Sequence, residues 1–126
     1  MMAGVEASSA VRVARIYEPP SDGDGTRVLV DRLWPRGMRK DGAPLDLWCK
    51  QVAPSDELRR WYGHDPARFG EFTARYQAEL GEPERSAALQ RLRELRREGP
   101  LTLLTSTKTP EISHAAVLAQ VLKEGP

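Results

Sequence analysis

Two short segments of the chain end in side chains that could bind a ligand or move protons. The first is the apolar run 28–30, followed by Asp31, Arg32, Trp34 and Arg36. Arginine forks form paired hydrogen bonds with phosphate, sulfate or carboxylate groups. Asp31 could orient or accept a proton. Trp34 could stack on a ligand, although an aromatic residue at a strand end more often contributes to packing.

The second segment repeats this design. The apolar run 101–105 is followed by Ser106, Thr107 and Lys108, and the pair Thr109-Pro110 predicts the start of a helix. Hydroxyl groups, an ammonium group and the free N–H groups of a helix start all favour a negatively charged ligand. The glycine spacing of known phosphate-binding loops is absent, so the class of anion stays open.

His114 is predicted about one turn into the final helix, where it could serve as a general acid or base with Asp31 as its partner. A capping or surface histidine explains the same position equally well. The whole pattern also has a structural alternative. In that alternative Arg32 pairs with Asp31 or with a helix acid, Lys108 is solvated, and the threonines only cap the helix.

Composition limits the classes of protein that fit. A chain of 126 residues with 40% hydrophobic and 29% charged residues predicts one globular domain over residues 11–126, preceded by a frayed tail at residues 1–10. The apolar runs are too short for a membrane span. Cys49 is the only cysteine, so no internal disulfide can form and a cytoplasmic location is expected. Two histidines and one cysteine at unrelated spacings predict neither a metal site nor a cofactor.

Strand and helix patterns alternate along the chain. Apolar runs predict strands and 3.6-residue periodicity predicts helices, while the stretch 45–52 fits either a short strand or a helical turn. This pattern predicts an α/β fold, a small three-layer domain with a mainly parallel sheet flanked by helices. The predicted strands cover residues 11–17, 27–33 and 101–105, and the predicted helices cover residues 55–63, 65–80, 84–98 and 109–123.

Nucleic acid is not expected as a partner. The helix 84–98 is rich in arginine, but glutamates are interleaved with the arginines, which is typical of a solvated face. The formal net charge is only +1, so the chain as a whole does not attract polyanions.

Several motifs together resemble the YeaO-like branch of the family called domain of unknown function 488. The resemblance covers nearly the whole chain from residue 11 to residue 122, and it implies a small cytoplasmic α/β protein without an established role. Longer relatives carry a cysteine at a strand end and a Cys-His-Arg helix start, where this chain has Ser106 and the segment 113–115. A thiol-dependent role is therefore not expected here. The motifs lie at residues 30–37, 48, 54–59, 72–80, 103–108 and 114–118.

Two hypotheses of function remain. The first is a small enzyme or ligand-binding domain for a phosphate or nucleotide-like anion, in which Asp31 and His114 transfer protons and Arg32, Trp34, Arg36 and the segment 106–108 bind the ligand. The second is a non-catalytic interaction module or a regulator associated with nucleic acid. A pocket that joins the two segments favours the first hypothesis. Neither hypothesis fixes an oligomeric state.

Overall fold

The structure is a computed structural model that describes residues 11–124. The tail predicted for residues 1–10 lies outside this range. Within residues 11–124, no helix is both long and apolar enough to cross a membrane.

The described residues build one four-stranded sheet in which every neighbouring pair of strands is parallel. The spatial order is β1-β4-β2-β3, so β4 lies between β1 and β2. The mainly parallel α/β fold expected from the sequence is therefore confirmed. The strands are β1 (Val11–Arg15), β2 (Thr26–Leu29), β3 (Leu47–Trp48) and β4 (Leu101–Thr105).

The register of β2 against β4 brings the two polar segments together. Val28 lies opposite Leu103, and Leu29 lies opposite Leu104. All five residues of β4 are buried, which is typical of a central strand in a parallel sheet. Because the strands run in the same direction, the loops that follow them leave from the same edge of the sheet.

Four α-helices are present among the described residues, and their ends follow local sequence signals. Ser55 caps the first helix by accepting a hydrogen bond from the N–H of Leu58. Gly63 ends that helix in the left-handed conformation, with φ of 53°. The helices are α1 (Asp56–Tyr62), α2 (Phe69–Glu79), α3 (Pro83–Glu98) and α4 (His114–Glu124).

The helices all pack on one face of the sheet. Their buried residues share one core cluster with Val28 and Leu103. The next residue of each strand, Leu29 or Leu104, points to the opposite face, as the alternation of a strand requires. There the covering side chains come from loops, with Trp34 and Met38 among them. The layer on the second face is thus built from loops and contains no helix among the described residues.

Several expected boundaries differ from the structure. The strand predicted over residues 11–17 ends at Arg15, and the helix predicted over residues 65–80 begins at Phe69, after a 3₁₀ turn at Pro66–Arg68. The strand predicted over residues 27–33 ends at Leu29, because Asp31 turns away to meet donors that follow β4. The ambiguous stretch 45–52 contains both alternatives, since β3 is followed by a 3₁₀ turn at Lys50–Val52.

The start of the last helix also differs from the expectation. The predicted start at Thr109-Pro110 is wrong, because Pro110–Ile112 forms a separate 3₁₀ turn and Thr109 makes no capping side-chain hydrogen bond. Ser113 has an extended backbone that interrupts the helix, and its hydroxyl accepts a hydrogen bond from the N–H of Ala115. Ser113 is therefore the cap of α4. His114 is the first helical residue and does not lie one turn inside the helix.

Candidate functional site

A cavity of about 470 Å³ opens where the loops after β2 and β4 meet the start of α4. This volume lies within the range of small-molecule sites. The cavity brings together seven of the eight site residues expected from the sequence, and Lys108 is the exception. The expected residues that line it are Asp31, Arg32, Trp34, Arg36, Ser106, Thr107 and His114.

Asp31 is the centre of the hydrogen-bond network beside the cavity. One carboxylate oxygen accepts from the Thr105 hydroxyl at 2.8 Å and lies 3.3 Å from Nε2 of His114. The other accepts from the Ser106 N–H at 2.8 Å and from the Ser106 hydroxyl at 2.9 Å. The side chain of Asp31 thus joins the two loops that the sequence expected to meet.

The environment of Asp31 favours its charged form. Burial alone raises the pKa of this carboxyl group, since it removes water from the charge. The hydrogen bond and the charge of His114, together with the hydrogen bonds from Ser106 and Thr105, outweigh burial and lower the pKa below its ordinary value of 3.8. Asp31 is therefore a poor general base near neutral pH.

The contacts of His114 define its proton position. Its Nε2 lies 3.0 Å from the carbonyl oxygen of Val30 and 3.3 Å from the carboxylate of Asp31. Both partners are acceptors, so Nε2 carries the hydrogen. The imidazole ring also packs edge-on against Tyr76, with ring centroids 6.1 Å apart. His114 thereby ties the start of α4 to the end of β2.

Four arginines line the cavity, two from the loop after β2 and two from α1: Arg32, Arg36, Arg59 and Arg60. Arg32 and Arg59 share one oxygen of Asp56, at 2.9 and 3.1 Å. This contact is the pairing with a helix acid that the structural alternative expected for Arg32. Within residues 11–124, Arg36 and Arg60 have no carboxylate within 4.0 Å. The cavity therefore carries more positive than negative charge.

Trp34 has a packing role as well as a place in the cavity lining. Its indole N–H donates to the carbonyl oxygen of Met38 at 2.7 Å. Its ring meets Trp48 edge-on, with centroids 5.2 Å apart. Trp48 in turn donates to the backbone carbonyl of Asp31 at 2.8 Å. The two tryptophans therefore hold the loop that carries Asp31 against the second face of the sheet.

The three residues after β4 have different environments. Ser106 and Thr107 line the cavity, and Arg15 holds their backbone by donating to both carbonyl oxygens, at 3.2 and 2.9 Å. Lys108 is exposed and does not line the cavity. The structure therefore separates Lys108 from the other expected site residues.

Further lining residues come from segments in which the sequence showed no ligand signal. Arg59 and Arg60 lie in the last turn of α1, where basic residues are common for electrostatic reasons alone. His64 lies in the turn after α1, with a positive φ of 56°, and it also lines the cavity. Only the placement of α1 beside the loop after β2 brings these residues into one site.

Comparison with known proteins identifies a family. Residues 10–125 match the family described as "Inactive DUF488-N3 subclade". The uncharacterized protein Rv3073c of Mycobacterium tuberculosis is 56% identical over 112 residues, which are 89% of this chain and 92% of that protein. The uncharacterized protein YeaO of Escherichia coli is 41% identical over 113 residues, which are 90% of this chain and 96% of that protein. No solved structure matches the chain significantly. The resemblance found in the sequence motifs is thus confirmed, and the chain belongs to the YeaO-like DUF488 family.

Proposed function

We propose that the cavity binds a small anion of the phosphate or nucleotide-like class, and that it does so without turnover. The observation that carries this proposal is the charge of the cavity wall. Of the four arginines that line the cavity, Arg32 and Arg59 share Asp56, which leaves two without a carboxylate partner. The one carboxylate in the lining, Asp31, is already surrounded by four donor groups. An incoming anion would meet the guanidinium forks of Arg36 and Arg60, which have no carboxylate partner. It would also meet the Thr107 hydroxyl, which accepts from the Thr109 N–H and can still donate its own hydrogen.

Binding is favoured over catalysis for two reasons. The hydrogen bonds that Asp31 accepts lower its pKa and leave it a weak base. Nε2 of His114 already donates to acceptors within the protein. In this proposal Asp31 and His114 position the two loops, and proton transfer by either residue is the secondary possibility. The word "inactive" in the family's description also favours binding over catalysis.

The remaining parts of the proposal concern location and partners. Cys49 is buried and unpaired, which is consistent with a reducing, cytoplasmic compartment. The basic side chains line a concave site that fits a small ligand better than it fits duplex nucleic acid.

Thermal unfolding in phosphate, compared with chloride at equal ionic strength, tests the proposal. A ligand that binds only the folded state raises its stability, by about 2.7 kcal/mol at a concentration 100 times the Kd. We expect phosphate to raise the Tm of the wild type more than chloride does. Arg36→Ala is expected to remove most of this gain. The matched control is Arg97→Ala, which removes an exposed arginine outside the cavity and is expected to keep the gain.

Lys108→Ala tests whether Lys108 binds the anion, as the sequence predicts, or lies outside the site, as in the structure. Because Lys108 lies outside the cavity lining, its removal is expected to leave the response to phosphate nearly unchanged. The proposal fails if phosphate has no effect beyond that of chloride. It also fails if Arg36→Ala and Arg97→Ala respond to phosphate in the same way.

A further inference from the structure

One side chain of the cavity is not explained by anion binding. Leu33 is 64% exposed, the larger exposure of the two large hydrophobic residues that lie open to solvent within residues 11–124. It lies between Arg32 and Trp34 in the loop after β2, and it lines the cavity. An exposed leucine is common by itself. Because Leu33 lies at a cavity that is also lined by aromatic side chains, it is placed to contact a bound ligand.

The aromatic wall lies in the same cavity. Tyr62 and Phe72 stack on each other, with ring centroids 4.2 Å apart and planes 16° apart, and both rings line the cavity. Both residues are almost completely buried, so they form the base of the cavity, and the apolar surface that a ligand can cover belongs mainly to Leu33 and the half-buried Trp34. The described lining therefore combines cationic side chains with a set of apolar and aromatic ones: Leu33, Trp34, Ala53, Pro54, Tyr62 and Phe72.

A lining with both cationic and apolar side chains fits a ligand that has both an anionic and an apolar part. A bare inorganic anion would use the arginines and would leave the exposed apolar surface of Leu33 and Trp34 in contact with water. A ligand that also carries a planar ring would displace that water and gain the free energy of apolar burial. Small-molecule sites commonly combine an apolar lining with a few charged groups that fix the orientation of the ligand.

We propose that the ligand of this cavity carries an aromatic ring next to its phosphate group, and that Leu33 covers this ring. The shared chemistry is that of an aryl phosphate or a nucleoside monophosphate. This inference rests on the proposed function, because it assumes that the arginines hold the phosphate. It goes further by assigning Leu33 the role of selecting the ring.

The position of Leu33 favours a small ligand over a protein partner. Its neighbours Arg32 and Arg36 are charged and exposed, so Leu33 does not belong to a broad apolar patch of the kind that marks a protein interface. A single apolar side chain at the mouth of a concave site is better placed to close over a bound group.

Titration calorimetry with three probes tests the inference: inorganic phosphate, phenyl phosphate and adenosine monophosphate. We expect at least one of the two ring-bearing probes to bind the wild type roughly tenfold or more tightly than inorganic phosphate, because the ring buries apolar area. Tighter binding of phenyl phosphate alone identifies a simple aryl group. Tighter binding of adenosine monophosphate alone identifies a nucleoside.

Two substitutions at one position assign the effect to Leu33. Leu33→Ser is expected to remove most of the preference for a ring while changing the affinity for inorganic phosphate by less than about twofold. Leu33→Met keeps an apolar side chain of similar volume and is expected to retain the preference. Because Leu33 is exposed, neither substitution should disturb folding.

The possible outcomes separate this inference from the proposed function. Equal affinities of all three probes in the wild type would overturn the inference and leave anion binding intact. Absence of binding for all three would overturn both. A preference for a ring that persists unchanged in Leu33→Ser would overturn the role of Leu33.

Discussion

Replacing Asp31 by asparagine tests the hydrogen-bond network that joins the two loops. Each oxygen of the carboxylate faces two donor groups. An amide has the same shape but only one oxygen, so one of the two sides must present an NH₂ group to donors. The Ser106 and Thr105 hydroxyl groups can rotate and become acceptors. The Ser106 backbone N–H cannot, so the amide oxygen is expected to face Ser106.

The NH₂ group of the asparagine then lies on the side of His114, where it makes an unfavourable contact. The new NH₂ group would face Nε2 of His114, which carries a hydrogen because it also donates to Val30. The substitution therefore loses a hydrogen bond with charged character and places two donors together. A hydrogen bond to a charged group contributes about 1.5–3 kcal/mol. We expect Asp31→Asn to lower the free energy of unfolding by roughly 2–3 kcal/mol near neutral pH.

The pH dependence follows from the lowered pKa of Asp31. A carboxyl group whose pKa is lower in the folded than in the unfolded state contributes stability well above its unfolded value of 3.8. That contribution is lost as the pH falls through the lower, folded value. The difference in stability between the wild type and Asp31→Asn should thus shrink as the pH falls below 3.8.

Urea denaturation over a pH series measures both effects. Asp41→Asn is the matched control, because Asp41 is exposed in the same loop and its substitution should change stability by less than about 0.5 kcal/mol. Equal urea midpoints for the wild type and Asp31→Asn near neutral pH would refute the expected contribution of this hydrogen-bond network to stability. A difference that stays the same at low pH would refute its dependence on the charge of Asp31.

Two further predictions concern Ser113, which lines the cavity, and Gly25, which lies at the opposite edge of the sheet, where β2 and β4 begin. Ser113→Ala should lower the free energy of unfolding by about 1 kcal/mol, because it removes the hydroxyl that accepts a hydrogen bond from the Ala115 N–H at the start of α4. Urea denaturation measures this loss, and an unchanged free energy of unfolding would mean that Ser113 is not the cap. Gly25→Ala should destabilise the protein by more than the roughly 1 kcal/mol of an ordinary substitution. The reason is that φ at Gly25 is +62° and a Cβ atom there would lie 2.1 Å from the carbonyl oxygen of Pro100. Calorimetry measures the Tm of the variant, and a Tm equal to that of the wild type would contradict this close approach.

Local sequence by itself determined the elements whose signals lie within a few residues. The predicted strand 101–105 coincides with β4. Ser55 and Gly63 mark the two ends of α1. These features depend on side-chain burial, capping hydrogen bonds and left-handed backbone positions, all of which act over one helical turn or one strand. The sequence also indicated that the polar segments after the two strands could form one site, because the ends of parallel strands share an edge.

Only the tertiary structure decided which side chains face the cavity. Thr105 and Ser106, two partners of Asp31, lie 74 and 75 positions away from it in the chain, so no pattern within a few residues records these hydrogen bonds. Lys108 lies in an expected motif but outside the cavity lining, while Arg60 lies in an ordinary helix end and lines the cavity. The physical reason is that local signals fix the conformation of a segment, whereas the direction of each side chain depends on how helices and loops pack on the sheet.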